Sequence, residues 1–230
     1  MTKDSGIYSR SVLFWGEEKQ EKLSASSVLV AGAGGLGCSV AENLARSGIG
    51  RLLIMDSGTV DEPDLGRQIL YNKDDVGRKK TEAAADRLRS IGGNTEIIPV
   101  NAEIEDTGAF KDVMEEISCD GVADCLDNYR SRFILEEMIP GGAFMVHGGV
   151  EGDFGQVTTI MKGRTPGLAD IYKGCMDSTD TIPVCPQIVI STGSFMALEV
   201  LRNIWGEPCL LNTMLVIELS DFSMFRISLA

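Results

Sequence analysis

The first residues that could do chemistry are four closely spaced glycines near the N-terminus. Residues 32–37 read Gly-Ala-Gly-Gly-Leu-Gly and fit the pattern G-x-G-x-x-G. Glycines in this pattern let a backbone approach phosphate or ribose without a Cβ clash, and the start of the following helix favours anionic groups. We therefore expect a nucleotide to bind at Gly32, Gly34, Gly35 and Gly37.

A carboxylate follows this glycine loop at the spacing of a ribose-binding acid. Asp56 ends an apolar run, and it lies about 20 residues beyond the last glycine of the loop. A carboxylate in that place can accept hydrogen bonds from ribose hydroxyls. This much of the pattern is also typical of an NAD(P)-dependent oxidoreductase, which stays an alternative.

Charged residues farther along the chain favour a different chemistry. Arg67 and Lys80 are candidates for stabilising negative charge on a transferring phosphorus and on a leaving pyrophosphate. Asp127, at the end of the fourth predicted strand, is a candidate ligand for Mg²⁺. We interpret the neighbouring Arg78 and Lys79 as surface charges. An oxidoreductase has no need of such a cluster, so the pattern favours adenylyl transfer to a carboxylate.

The elements that must position these residues alternate between strand and helix. Short apolar runs predict strands at 27–31, 51–56, 96–100, 121–125 and 143–147. Between them, helical patterns occupy 39–47, 79–91, 108–117 and 130–138. This alternation predicts an α/β fold of the Rossmann-like, doubly wound type with a mostly parallel sheet, preceded by N-terminal helical residues at 7–24.

The pattern changes after residue 150. Strands at 155–161 and 215–219 are expected to form a smaller antiparallel section, with an apolar helix at 187–204. Residues 162–186 predict a long loop of the kind that often covers a binding site. We expect a single domain over 1–230, with a nucleotide-binding part at 1–150 and a substrate-side part at 151–230.

Composition narrows the partners and the compartment. The net charge of −13 disfavours binding to nucleic acid or to an anionic membrane surface. No apolar run approaches the roughly 20 residues of a membrane helix, and the first residues lack the apolar stretch of a signal peptide. The six cysteines form no C-x-x-C pair. These observations predict a cytoplasmic protein without disulfides and without a zinc site.

Taken together, the motifs resemble the E1-like activating enzymes, the ThiF/MoeB/HesA family that includes the adenylation domains of ubiquitin-activating enzymes. The resemblance rests on the glycine loop, Asp56, Arg67-Gln68, Gly77-x-x-Lys80 and Asp124-x-x-Asp127-Asn128, in family order. It extends from Tyr8 to the helix at 187–204. It implies ATP-dependent formation of an acyl-adenylate on a carboxylate, with release of pyrophosphate.

The resemblance also implies a role for each matching residue. Asp56 would hold the ribose, Arg67 and Lys80 the ATP phosphates, and Asp127 the Mg²⁺ ion. Gln68 and Asp64 would line the nucleotide site. Arg10 matches an arginine that, in this family, reaches into the partner subunit's site, so the expected assembly is a homodimer with two composite sites.

The chain departs from the family pattern at three places. Asp64 stands where the family usually has asparagine, and it would either contact a metal or pair with Arg67. ThiF and MoeB usually carry two zinc-binding C-x-x-C pairs, but here Cys175 has Tyr172 in its partner's place, and nothing matches the second pair. Cys175 or Cys185 could accept the acyl group as a thioester, although uninvolved thiols are the favoured interpretation.

Two classes of carboxylate remain open. Most relatives of this kind activate the C-terminal glycine of a ubiquitin-fold sulfur carrier such as ThiS or MoaD, and a minority activate a small molecule. The missing zinc cysteines and the acidic composition favour the small molecule, with guanylylpyridinol of iron-hydrogenase cofactor biosynthesis as the named hypothesis. A nucleotide sensor without catalysis is a further alternative.

His147, the one histidine, ends the fifth predicted strand, and a structural role is favoured for it over contact with substrate.

Overall fold

The computed structural model describes residues 6–105, 107–177 and 181–229. In this part of the chain the strands belong to one eight-stranded sheet. The strands are β1 (Ser27–Ala31), β2 (Arg51–Met55), β3 (Glu96–Val100), β4 (Gly121–Asp124), β5 (Phe144–Glu151), β6 (Phe154–Ile160), β7 (Thr213–Glu218) and β8 (Ser223–Ser228).

The sheet has a parallel half and an antiparallel half, in the order β3-β2-β1-β4-β5-β6-β7-β8. The first five strands in this order, from β3 to β5, are parallel to one another. Strands β6, β7 and β8 then continue the sheet, each antiparallel to the strand before it. In the parallel half, Ala31 is in register with Met55 and with Asp124, and Asp124 is in register with His147. The residues that follow these strand ends therefore share one edge of the sheet, where ligands bind in open α/β folds.

Helices cover both faces of the sheet. They are α1 (Ser9–Trp15), α2 (Glu17–Ala25), α3 (Gly35–Ser47), α4 (Lys80–Arg89), α5 (Gly108–Glu116), α6 (Tyr129–Met138), α7 (Leu168–Ile171) and α8 (Pro186–Trp205), with 3-10 turns at Gly6–Tyr8, Glu62–Gly66 and Lys73–Asp75. A hydrophobic core lies on each face of the sheet, and side chains alternate between the two faces along a strand. In β1, Val30 packs in the core under α3, α4 and α8, whereas Leu29 packs in the core under α5, α6 and α7.

The predicted fold class is confirmed, with three differences in detail. β5 continues to Glu151, so His147 lies in the middle of this strand and not at its end. β8 was not predicted. The expected loop at 162–186 contains the short helix α7, and residues 178–180 of that loop lie outside the described residues. Within the described residues, no helix is both long enough and apolar enough to cross a membrane.

Candidate nucleotide and carboxylate site

The glycine loop joins β1 to α3 in a tight turn, in which the backbone leaves no room for a side chain at Gly32 or Gly37. Gly32 has φ +93°, and a Cβ there would lie 2.8 Å from the carbonyl oxygen of Cys125. A Cβ at Gly37 would lie 1.8 Å from the carbonyl oxygen of Gly32. Around Gly34, by contrast, the space is open, and no described side chain caps the N-terminus of α3. The loop therefore leaves backbone amide groups free to bind an anion.

Asp56 holds the glycine loop against the end of β2. One carboxylate oxygen accepts a hydrogen bond from the Ala33 amide at 2.8 Å, and the other accepts one from the Gly58 amide at 2.7 Å. A carboxylate oxygen can accept more than one hydrogen bond. Asp56 is half-buried, so the predicted contact with a ribose is compatible with this geometry.

Asp64 gathers both predicted phosphate-binding cations. Lys80 Nζ lies 3.2 Å from Asp64 Oδ2, and the guanidinium of Arg67 lies 3.5 Å from Asp64 Oδ1. The amide of the Gln68 side chain donates a hydrogen bond to Asp64 Oδ1 at 2.6 Å. The carboxylate is nearly buried. Of the two roles considered for Asp64, pairing with Arg67 is present, and Lys80 is a second partner that the sequence did not indicate.

Backbone contacts bring this cluster to the glycine loop. The Lys80 amide donates a hydrogen bond to the Gly58 carbonyl oxygen at 3.1 Å, two residues beyond Asp56. The Arg67 carbonyl oxygen lies 3.5 Å from the position of a Cβ on Gly35. That same Cβ would lie 2.6 Å from a methyl group of Val189, in the first turn of α8. The start of α3, the cations and the start of α8 therefore meet at one place.

Gln68 has a buried polar atom that no described residue satisfies. Its side chain is 2% exposed, and its Oε1 has no hydrogen-bond partner. An unpaired buried acceptor in a folded protein calls for a specific explanation. A bound nucleotide that brings its own donor to this cluster would supply one, so Gln68 fits a nucleotide site together with the open amides of the glycine loop.

Asp127 lies in the connection between β4 and α6. Its carboxylate is exposed, and the Asn128 side-chain amide donates a hydrogen bond to it at 3.2 Å. Cys125, two residues earlier, packs against Gly32 of the glycine loop. No group of three or more acidic, histidine or cysteine residues in the described ranges could bind a metal by itself. One carboxylate together with substrate phosphates is, however, a usual way to hold Mg²⁺.

Arg10 is the predicted site residue that the fold does not bring to the cluster. It is exposed on α1. Tyr8, two residues earlier, packs against Gly48 at the C-terminal end of α3. The glycine loop is at the opposite end of this 13-residue helix, about 20 Å away at 1.5 Å per residue. Within one chain, Arg10 is therefore remote from the candidate nucleotide site.

A buried hydrogen-bonded chain beside the site was missed by the sequence analysis. His147 Nδ1 lies 2.6 Å from Asp124 Oδ2, and His147 Nε2 lies 2.7 Å from the Tyr172 hydroxyl. Gln156 Nε2 donates to the same hydroxyl. The side chains of Asp124 and His147 are fully buried. The available signal was that Asp124 lies one residue before the end of the fourth predicted strand and His147 ends the fifth, so neighbouring parallel strands would place them side by side.

Burial, hydrogen bonds and the charge of Arg132 together set the protonation states of His147 and Asp124 in this hydrogen-bonded network. It lowers the pKa of His147, and the nearby charge of Arg132 lowers it further, although the hydrogen bond to Asp124 opposes both effects. Burial alone would raise the pKa of Asp124, but the hydrogen bond from His147 and the charge of Arg132 hold it below its usual value. The network thus favours a neutral imidazole that donates to an ionised Asp124 and accepts a hydrogen bond from Tyr172.

The cysteines differ sharply in exposure. Cys38 and Cys125 are buried, and burial raises the pKa of Cys38 to about 12. Cys175 is exposed, and Cys185 is half-buried as the residue before α8. All six thiols are free. Of the two candidates for a thioester, Cys175 is the more accessible.

Comparison with known proteins assigns the chain to a family. The model of the ThiF family matches residues 8–230. The chain belongs to the ThiF family. Its matched region includes the glycine loop, Asp64 with its two cations, and Asp127.

Among curated relatives, the sulfur carrier protein ThiS adenylyltransferase of Bacillus subtilis is 30% identical over 89% of this chain and 62% of its own length. The molybdopterin-synthase adenylyltransferase of Escherichia coli is 39% identical over 54% of this chain and 50% of its own. The chain therefore spans less than two-thirds of these relatives.

A solved structure of Escherichia coli MccB with ATP has the same fold. It superposes with a TM-score of 0.84 at 22% identity, over 100% of this chain and 72% of the other. At this identity the likeness supports the fold and nothing finer.

Proposed function

We propose that this protein is an ATP-dependent adenylyltransferase that forms an acyl-adenylate on a carboxylate. The observation that carries the proposal is the pairing of Lys80 and Arg67 on Asp64, next to the open amides of the glycine loop. A site for ATP phosphates needs fixed cations, and these two are held in place before any ligand arrives. The named adenylyltransferases among the relatives support the same activity.

The reaction follows from these roles. An oxygen of the substrate carboxylate attacks the α-phosphorus, the bond from that phosphorus to the bridging oxygen breaks, and pyrophosphate leaves with the electron pair. Lys80 and Arg67 neutralise the charge that develops on the phosphate oxygens. Asp56 orients the ribose. Asp127 would hold Mg²⁺, which supplies further charge neutralisation at the phosphates when bound.

As the substrate we propose a small-molecule carboxylate, with guanylylpyridinol as the named candidate. Tyr172 stands at the place that the resemblance assigns to a zinc cysteine, and its hydroxyl is engaged by His147 and Gln156. The chain therefore departs from the carrier-activating pattern at this point. The second candidate is the C-terminal glycine of a ubiquitin-fold sulfur carrier, and it is favoured because the Bacillus subtilis relative is a sulfur carrier protein ThiS adenylyltransferase.

We also propose a homodimer in which Arg10 enters the partner's site. Leu13 and Phe14, on the same helix as Arg10, are 87% and 88% exposed. Large apolar side chains exposed together mark an association surface. Such an arrangement would explain why Arg10 is remote from the site of its own chain.

For the compartment we propose the cytoplasm, because free thiols are typical of proteins in a reducing environment.

The test is ATP–pyrophosphate exchange with Mg²⁺ and each candidate carboxylate in turn. We expect exchange with guanylylpyridinol, together with an acyl-adenylate detected by mass spectrometry. Exchange only with a ubiquitin-fold carrier ending in Gly-Gly would replace the substrate and keep the reaction. ATP binding without exchange for either carboxylate would favour the nucleotide sensor.

Matched variants test the residues. Lys80→Ala and Asp127→Ala should abolish the exchange while the fold survives, whereas Lys79→Ala removes an equal charge one position away and should retain it. An NAD(P)-dependent oxidoreductase would instead bind nicotinamide nucleotides tightly and be indifferent to Lys80→Ala. Normal exchange in Asp127→Ala would remove this residue from the mechanism.

A further inference from the structure

Residues 168–177, here called the strap, follow α6 from its last turn, at Glu136, to its first turn, at Tyr129. The strap begins with α7, whose Leu168 is fully buried in the core. The Leu168 amide donates a hydrogen bond to the Glu136 carboxylate of α6 at 2.9 Å. Although these residues show no regular hydrophobic pattern, this part of the predicted loop has a defined position.

The strap is fastened to the sheet by the hydroxyl of Tyr172. That hydroxyl lies within hydrogen-bond distance of His147 on β5 and of Gln156 on β6. Through His147 it is linked to Asp124 at the end of β4. Three adjacent strands therefore contribute to one anchoring point, and Asp124 is three residues before Asp127.

Beyond the anchor, the strap covers the first turn of α6. The rings of Tyr172 and Tyr129 lie 5.1 Å apart between centroids. The carboxylate of Asp177 accepts hydrogen bonds from the backbone amides of Tyr129, at 2.5 Å, and Arg130, at 3.4 Å. The strap and Asp127 are thus neighbours at the same helix terminus.

Stability alone does not account for so polar an anchor. Replacing buried ionic groups by apolar residues of similar volume is often neutral or stabilising, and each buried polar group is costly unless it is fully hydrogen-bonded. Asp124 and His147 have no exposed side-chain surface. Directional hydrogen bonds fix one orientation of Tyr172, which apolar packing would not do.

We propose that Tyr172 is a positioning residue for the adenylation reaction. The Asp124–His147–Tyr172 chain fixes the strap beside Asp127, where the strap forms the wall against which the substrate carboxylate is oriented. This inference depends on the proposed function for its catalytic part. Its structural part, the fastening of the strap by the Tyr172 hydroxyl, can be tested separately.

The first measurement is hydrogen–deuterium exchange of the full chain, read by mass spectrometry. Tyr172→Phe and His147→Gln should speed exchange of the amides in the strap and at Tyr129 and Arg130 by about tenfold, the effect of losing one buried hydrogen bond. Tyr8→Phe is the matched control, since its hydroxyl accepts a hydrogen bond from the Asn94 amide at 3.1 Å elsewhere in the fold. It should leave exchange in the strap unchanged.

The second measurement is steady-state ATP–pyrophosphate exchange. In Tyr172→Phe the KM for the carboxylate that wild type accepts should rise roughly tenfold, whereas the KM for ATP should change less than about twofold. Unchanged deuterium exchange in both variants would overturn the proposal. So would faster exchange with an unchanged KM for the carboxylate. If wild type accepts no carboxylate, the proposed function fails, and the deuterium exchange still decides whether Tyr172 fastens the strap.

Discussion

The carboxylate of Asp64 lies 3.2 Å from the ammonium group of Lys80, and both side chains are largely shielded from solvent. The guanidinium of Arg67 lies on the other oxygen of the same carboxylate. The negative charge of Asp64 therefore partly neutralises the positive charges of Lys80 and Arg67, the two cations that we assign to the ATP phosphates. It keeps them in place in the free protein, and it opposes the negative charge of an arriving nucleotide.

The variant Asp64→Asn should bind ATP more tightly. It removes a negative charge next to the phosphates and keeps an oxygen that can accept the hydrogen bond from Gln68. We expect a Kd for Mg²⁺-ATP that is lower by roughly fivefold, or about 1 kcal/mol, measured by titration calorimetry. Thermal stability should fall, because Lys80 loses its partner.

A matched control for this variant is Asp75→Asn. Asp75 is also buried, also caps a 3-10 turn and also pairs with an arginine three residues later, Arg78, at 2.8 Å. It should lower stability and leave the Kd for ATP unchanged. Equal affinities of wild type and Asp64→Asn would show that Asp64 does not oppose the nucleotide.

Two glycines of the same loop should respond differently to alanine. Gly37→Ala places a methyl group on the Gly32 carbonyl oxygen and should lower the free energy of unfolding by roughly 2–4 kcal/mol. Gly34→Ala meets open space, so stability should be nearly unchanged. Because we place the nucleotide in that space, the Kd of the Gly34→Ala variant for ATP should rise by about tenfold. Denaturant unfolding and calorimetry on both variants separate the two effects, and wild-type affinity in Gly34→Ala would contradict the assigned site.

Stability should depend on pH through His147, the one histidine of the chain. Burial lowers its pKa below the ordinary value of 6.5, so at mildly acidic pH the unfolded chain binds a proton that the folded chain excludes. Stability is then fully present above pH 6.5 and is lost as the pH falls toward the folded pKa. Asp124, whose pKa is also lowered, adds a loss only at more acidic pH, below its ordinary 3.8.

The measurement is the free energy of unfolding from urea titrations at several pH values. His147→Gln should be less stable than wild type at neutral pH and should lack the decrease that wild type shows as the pH falls below 6.5. Parallel curves for the two proteins over this range would mean that His147 does not titrate as its burial requires.

The reactivity of the cysteine thiols should follow their exposure to solvent. A short treatment with iodoacetamide at neutral pH should label Cys175 and spare Cys38 and Cys125, whose thiolates are disfavoured by burial. If neither candidate cysteine carries the acyl group, incubation of wild type with ATP and the carboxylate should give the acyl-adenylate and leave Cys175 and Cys185 without an acyl adduct. Mass spectrometry reads both outcomes, and a thioester on either residue would assign it a catalytic role.

The parallel half of the sheet was predictable because its signals are local. Apolar runs, the glycine loop and the acid after β2 are each encoded in adjacent residues. β8 was missed because five of its six residues are exposed, so Ser223–Ser228 carries no alternation. Tyr172 as a partner of His147 was beyond reach, since it follows a short helix in a stretch without periodicity.

The two partners of Asp64 illustrate the same boundary. Arg67 lies three residues away, within one turn of chain, and the sequence suggested this pairing. Lys80 lies close to Asp64 because two tertiary contacts hold the chain there. Thr59 forms a β-bridge with Lys79, and the Lys80 amide donates a hydrogen bond to the Gly58 carbonyl oxygen. Such a contact depends on tertiary geometry that the residue pattern does not encode.

The contact between Gly35 and Val189 has a thermodynamic consequence. Val189 is in the first turn of α8, and Gly35 is the first residue of α3, the helix that follows the glycine loop. The two regions thus share one close-packed junction with no room for a methyl group. Any coupling that this junction transmits is reciprocal: a carboxylate that strengthens ATP binding by a given factor is itself bound more strongly by the same factor once ATP is present.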